Sequence, residues 1–158
     1  MKRKKAKGPA RAKIEKWENP VSAFERIEFL GMVGISQSRF LLGTPSGVFC
    51  LTIPARTPYR IVDESYLGKT GKLFATKKKP RLCPTWKIWT SDLLNDLKRT
   101  HFFMGLPKTS QFSYFLVTGD ECIEFVSTVP EWKAYGSRPI PEIARELLEQ
   151  DLREMYSK

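Results

Sequence analysis

Arg39-Phe40-Leu41-Leu42-Gly43-Thr44-Pro45-Ser46-Gly47-Val48-Phe49-Cys50-Leu51-Thr52-Ile53 is the stretch on which the reading of the fold turns. Two apolar runs of strand length flank Thr44-Pro45-Ser46-Gly47, four residues that favour a turn. The whole reads as a hairpin. Pro54 and Pro58 close it, and Tyr59–Val62 follows as a third strand. The pattern recurs downstream, where Phe112–Val117 and Cys122–Val126 flank Thr118-Gly119-Asp120-Glu121. Hairpins need no crossover helix, so the sheet they build is antiparallel.

Helical signals surround these hairpins. Asn19-Pro20 has the form of an N-cap followed by a first-turn proline. Gly31 and Gly34 limit any helix that starts there, and Ile27–Gly34 reads equally well as a strand. Thr85–Trp89 alternates as a strand does. Thr90 or Ser91 then caps a helix with Asp92 in its first turn, where the helix dipole favours an acid. Leu93, Leu94, Leu97 and His101 lie at helical spacing, and Gly105 and Pro107 end the segment. Residues 130–136 read as a connection. Pro139-Ile140-Pro141 opens a last helix that runs to about Tyr156, with Ile143, Ala144, Leu147, Leu148, Leu152 and Met155 as its apolar face. Arg145, Glu149 and Arg153 stand four apart on the other face.

The expected fold is therefore α+β: an antiparallel sheet built from two hairpins with two or three helices, preceded by a disordered basic tail. The expected division is a flexible tail over residues 1–16 and one α+β domain over residues 17–158. The element order resembles the α-β-β-β-α-β-β-α of secretion-chaperone-like domains, a likeness of order alone. A competing reading makes Ser91–Met104 and Lys108–Leu116 a helix-turn-helix, but Phe112, Tyr114 and Phe115 give the second segment strand character.

A chain of 158 residues with 41% apolar and 28% charged residues has a globular composition and is long enough to bury a core without staples. The apolar stretch Ile27–Ile35 is far short of the roughly 20 residues of a membrane span. Met1-Lys2-Arg3-Lys4-Lys5 has no apolar region behind its basic start, so no secretory signal is expected. The expected partners include no membrane, and the expected location is cytoplasmic or nucleoid-associated, or nuclear in a eukaryote. Cys50, Cys83 and Cys122 are odd in number and widely spaced, and His101 is the single histidine. They read as reduced thiols rather than a disulfide framework or a zinc site.

The net charge of +10 is unevenly spread. Residues 1–16 hold eight Lys/Arg against Glu15 alone, a net of +7. Residues 66–90 hold Lys69, Lys72, Lys77, Lys78, Lys79, Arg81 and Lys87 with no acid, another +7. The remainder has 12 basic and 16 acidic residues, a net of −4. Segregated positive charge of this kind recruits a polyanion.

The leading expectation is a non-enzymatic nucleic-acid-binding protein. Its basic arm (Lys2, Arg3, Lys4, Lys5, Lys7, Arg11 and Lys13) would neutralise phosphates and release counter-ions. Its basic loop (Lys69, Lys72, Lys77, Lys78, Lys79 and Arg81), with Lys87, would add contacts from the folded part. Trp86 or Trp89 would stack on unpaired bases, with one of the two indoles buried. DNA and RNA are both left open, and Lys2–Lys5 and Lys77–Lys79 also fit a nuclear import signal.

Other chemistries have incomplete constellations. Gly68-Lys69-Thr70-Gly71-Lys72 suits a phosphate, but Asp63 stands where a P-loop needs glycine. Asp120, Glu121 and Glu124 suggest a small metal-dependent nuclease, yet Phe125-Val126 replaces the expected lysine. His101 lacks a nucleophile with a contextual signature. No cofactor is expected. The alternative of another class is a protein-interaction module (adaptor, chaperone or assembly subunit) that docks another protein through the C-terminal helix.

Overall fold

The computed structural model describes residues 14–63, 84–100, 102–119, 121–126 and 129–157. Among them, nine strands form two antiparallel sheets. The strands are β1 (Ile14–Lys16), β2 (Glu28–Val33), β3 (Ser38–Thr44), β4 (Gly47–Ile53), β5 (Tyr59–Asp63), β6 (Thr85–Ile88), β7 (Ser113–Val117), β8 (Glu121–Val126) and β9 (Glu131–Gly136). Two α-helices, α1 (Asp92–Arg99) and α2 (Ile140–Tyr156), complete the set with a 3₁₀ turn at Lys108–Ser110. The first sheet runs β1-β6-β7-β8-β5 and the second β2-β3-β4-β9.

The expected α+β class and both hairpins are present: β3 pairs with β4 and β7 with β8. The hairpins belong to two different sheets rather than one. The sheets face each other across a core that includes Phe40, Leu42, Leu51 and Ile53 from one and Tyr114, Leu116, Ile123 and Phe125 from the other. Each such buried side chain contributes roughly 1.5–3 kcal/mol. Alternation along the strands sends Leu41 and Cys50 to the opposite face, against Ile143 and Leu147 of α2. Sheet burial on both faces explains why Phe40-Leu41-Leu42 is unbroken apolar sequence. On the other sheet, Val126 packs with Leu94 and Phe103 beneath α1. Each sheet thus carries a helix on its outer face.

Local chemistry accounts for most element ends. The Ser91 hydroxyl accepts the Leu94 amide at 3.1 Å and starts α1, with Asp92 in the first turn and Lys98 and Arg99 in the last. Gly47 closes the β3–β4 turn at φ +117°, where a Cβ would overlap the carbonyl of Gly136. Arg56 is the one non-glycine residue of the described segments with positive φ, at +66°. It sits third in the turn 54–57, whose Thr57 amide bonds the Pro54 carbonyl at 3.2 Å. That is the left-handed position of a type II turn, which favours glycine.

Several expectations are corrected. Ile14–Lys16, assigned to the tail, form β1 and pair with β6. Asn19-Pro20 starts a turn and no helix: Asn19 Oδ1 accepts the Val21 amide at 3.0 Å, but Ser22 and Phe24 bond back only three residues. Ile27–Gly34 resolves as a strand, with β2 at residues 28–33. Residues 131–136, read as part of a connection, form the edge strand β9. The order of elements begins with five strands, unlike that of secretion-chaperone-like domains. Residues 113–117 are a strand, so no helix-turn-helix forms. On α2 the buried stripe is Ile143, Leu147 and Asp151, and Leu148, Leu152 and Met155 are exposed.

Candidate nucleic-acid interface

At the β1/β6 edge of the first sheet the N-terminal basic segment and the returning end of the second one meet the folded part. Ile14 pairs with Ile88, Glu15 with Lys87 and Lys16 with Trp86. The pairing is locked at its end: the Trp17 amide donates to the Thr85 carbonyl at 3.1 Å, and the Thr85 hydroxyl donates to the Trp17 carbonyl at 2.7 Å. Because the strands are antiparallel, residue 13 leaves at the Trp89 end of β6. Residue 83 enters at the other end, beside Pro84, whose carbonyl accepts the Val117 amide at 2.7 Å. The exit of the N-terminal arm and the return of the 64–83 segment are therefore one short strand apart, roughly 13 Å at 3.3 Å per residue.

The same segment leaves β5 after Asp63, which pairs with Glu121 at the turn end of β8. Both anchors of residues 64–83 thus lie at the β7–β8 turn, on opposite sides of these two strands. Three strand spacings separate them, about 14 Å.

Lys87 lies on the strand face turned toward the second sheet. Its ammonium stands 5.5 Å from the Phe112 ring centre and 5.7 Å from that of Tyr114, within cation–π range. Trp89 packs tilted against Phe112, with ring centres 5.3 Å apart, and its indole N–H donates to the Thr109 carbonyl at 3.1 Å. The rings continue inward, Phe112 to Tyr114 at 5.2 Å and Tyr114 to Trp17 at 4.4 Å. Trp86 occupies the opposite face, half-buried against the Phe115, Ile88 and Cys122 cluster. The expectation that one indole is buried and the other available gives way to two half-buried indoles. Trp89 lies just past the end of β6 and is fixed by its own hydrogen bond.

Of the expected contact residues, Lys87, Trp86 and Trp89 are brought together on and beside β6. Lys2, Arg3, Lys4, Lys5, Lys7, Arg11, Lys13, Lys69, Lys72, Lys77, Lys78, Lys79 and Arg81 lie outside the described residues, as do Cys83, His101 and Asp120. Lys16 joins the edge, paired with Glu18 at 2.9 Å. That contact and the Ser22 hydroxyl hold the Glu18 carboxyl below its usual range. Phe112 and Tyr114 were read from the sequence as strand formers and not as contact residues. Their signal was the alternation that sets Tyr114 beside Lys87 across β7 and β6.

Of the carboxylates considered for a nuclease, Glu124 is engaged within the fold. Glu124 is fully buried, accepts the Ser113 hydroxyl at 2.7 Å, and pairs with Arg60 through Nε at 2.7 Å. Arg60 Nη2 also approaches Oε2 at 2.7 Å, but outside hydrogen-bonding geometry. This ion pair faces the outer side of the sheet. Cys50 and Cys122 are buried thiols, and burial pushes the Cys50 thiol up from its ordinary pKa. Among the described residues no three His, Cys, Asp or Glu side chains converge as metal ligands, and no helix is long and apolar enough to cross a membrane. The chain matches no known protein family, no curated protein and no solved structure.

Proposed function

We propose that the protein is a non-enzymatic nucleic-acid-binding protein of regulatory or accessory type. The observation that carries the reading is the register of β1 on β6. It sets the exit of residues 1–13, which hold seven Lys/Arg, and the return of residues 64–83, which hold six Lys/Arg against Glu64, at the two ends of one strand, which itself carries Lys87. Phosphates would be held by the arm and the Lys69–Arg81 loop, largely through counter-ion release. The rings of Trp89 and Phe112 would give the base of the arm an aromatic floor. Replacing Lys77, Lys78 and Lys79 together with glutamate tests the loop. Affinity for labelled DNA or RNA falls by well over tenfold if the loop holds phosphates, and stays unchanged if it does not.

A second reading, a protein-interaction module docking through the C-terminal helix, is favoured by the exposure of Leu148, Leu152 and Met155 along one flank of α2. Leu148→Glu/Leu152→Glu would abolish such docking and leave nucleic-acid affinity intact.

A further inference from the structure

At the sandwich edge opposite β1/β6, a cavity of about 320 Å³ opens between the β2–β3 turn and the turn at residues 54–57. This volume is at the small end of ligand pockets, roughly 300–1,000 Å³. Its polar wall is Ser36, Gln37 and Ser38, and its one charged lining residue is Arg56. The nearby Asp151 carboxylate does not offset that charge. It is turned to the Ile35 amide at 2.6 Å and to Arg39 at 2.6 Å, and it also holds the Ser36 hydroxyl at 3.1 Å. Among the described residues the side chains of Arg56, Gln37 and Ser38 make no hydrogen bond or ion pair. Met32, Ile35 and Tyr59 line the remainder and are exposed at 42%, 53% and 38%.

Arg56 is the unusual part. Its backbone holds a left-handed conformation in which glycine is favoured, so the turn carries strain to have a side chain there. That side chain is a guanidinium, the group best suited to a planar or tetrahedral anion. We propose that this cavity binds a small anionic ligand, its carboxylate or phosphate group held by Arg56 and its apolar body lying against Met32, Ile35 and Tyr59. Gln37 and Ser38 would supply further hydrogen bonds. The site is independent of the β1/β6 edge.

Titration of the ¹⁵N-labelled full chain with phenyl phosphate and with phenylacetate tests this. At millimolar probe, saturable amide shifts are expected over residues 32–38 and 55–59, and the tighter of the two probes identifies the head group. Arg56→Gly suits the left-handed turn and preserves the fold, which the same spectra report. It should weaken binding at least about tenfold, the effect of losing one charge-assisted contact. No saturable shift with either probe, or equal affinity in Arg56→Gly, would overturn the proposal.

Discussion

Arg39 and Asp151, 112 residues apart, form a buried ion pair, with Nη1 2.6 Å from Oδ1 and side-chain exposures of 3% and 0%. The same carboxylate accepts the Ile35 amide and the Ser36 hydroxyl, so one residue of α2 fastens the helix to β3 and to the β2–β3 turn. Removing one partner strands a buried charge. Asp151→Ala should therefore cost roughly 3–5 kcal/mol, read as a lowered urea midpoint. A loss below about 1 kcal/mol would show that α2 is held by Ile143 and Leu147 alone.

Acid should loosen the same helix. Burial raises the Asp151 pKa, but the Ile35 amide, Arg39 and the Ser36 hydroxyl together outweigh it and leave the carboxyl below its ordinary value of 3.8. Glu146, between Lys133 and Arg138 at 2.9 and 2.6 Å, is pulled from 4.5 to about 2. Both groups have folded-state pKa values below their unfolded ones. Their stabilisation is therefore present above the ordinary carboxylate values and lost as pH falls below them, for Glu146 toward about 2. Urea midpoints should hold steady from pH 7 to 5 and fall below pH 4, less steeply in Glu146→Gln. A Glu146→Gln profile as steep as that of the parent chain would remove Glu146 from the account.

Gly47 and Gly136 make a contrasting pair. Both have positive φ, at +117° and +60°. A Cβ at Gly47 would run into the Gly136 carbonyl, whereas one at Gly136 would meet nothing within 4 Å. Gly47→Ala must part β4 from β9 and should cost upwards of about 2 kcal/mol. Gly136→Ala bears only the left-handed backbone term, about 1 kcal/mol. Thermal unfolding of the two variants orders them, and the reverse order would contradict the β4–β9 geometry.

Both hairpins, the α1 cap and the extent of α2 were legible because their signals are local: alternation, turn formers, a serine before an acid, prolines ahead of a periodic helix. The misread elements depend on distant partners. Trp132 and Tyr135 stand three apart in β9 and so are covered on opposite faces, Trp132 by the inter-sheet core and Tyr135 by α2, which hides the half-buried alternation expected of a strand. Ile14–Lys16 look like the end of a charged tail, and only β6, some 70 residues later, makes them a strand. Asp151 reads as a surface acid until Arg39 is placed beside it. At the candidate interface, the charge was legible by composition. The convergence of its two outlets on β6 required the sheet order.

The tail boundary has a direct stability consequence. Removing residues 1–13 takes away seven Lys/Arg and keeps β1, so the melting temperature should stay within about a degree. Removing residues 1–16 also deletes β1 and exposes the edge of β6 from Trp86 to Ile88, and should lower it by several degrees. Equal melting temperatures for the two truncations would mean that β1 contributes nothing to the sheet.

The most direct test is fluorescence anisotropy of labelled single- and double-stranded DNA and RNA, titrated at several salt concentrations with the full chain and with residues 14–158. Tight binding at low salt and a steep log–log salt slope are expected. The truncated chain should have a slope smaller by up to about 6, the share of seven neutralised phosphates. Absence of binding to every one of these nucleic acids by the full chain at low salt would contradict the proposed function.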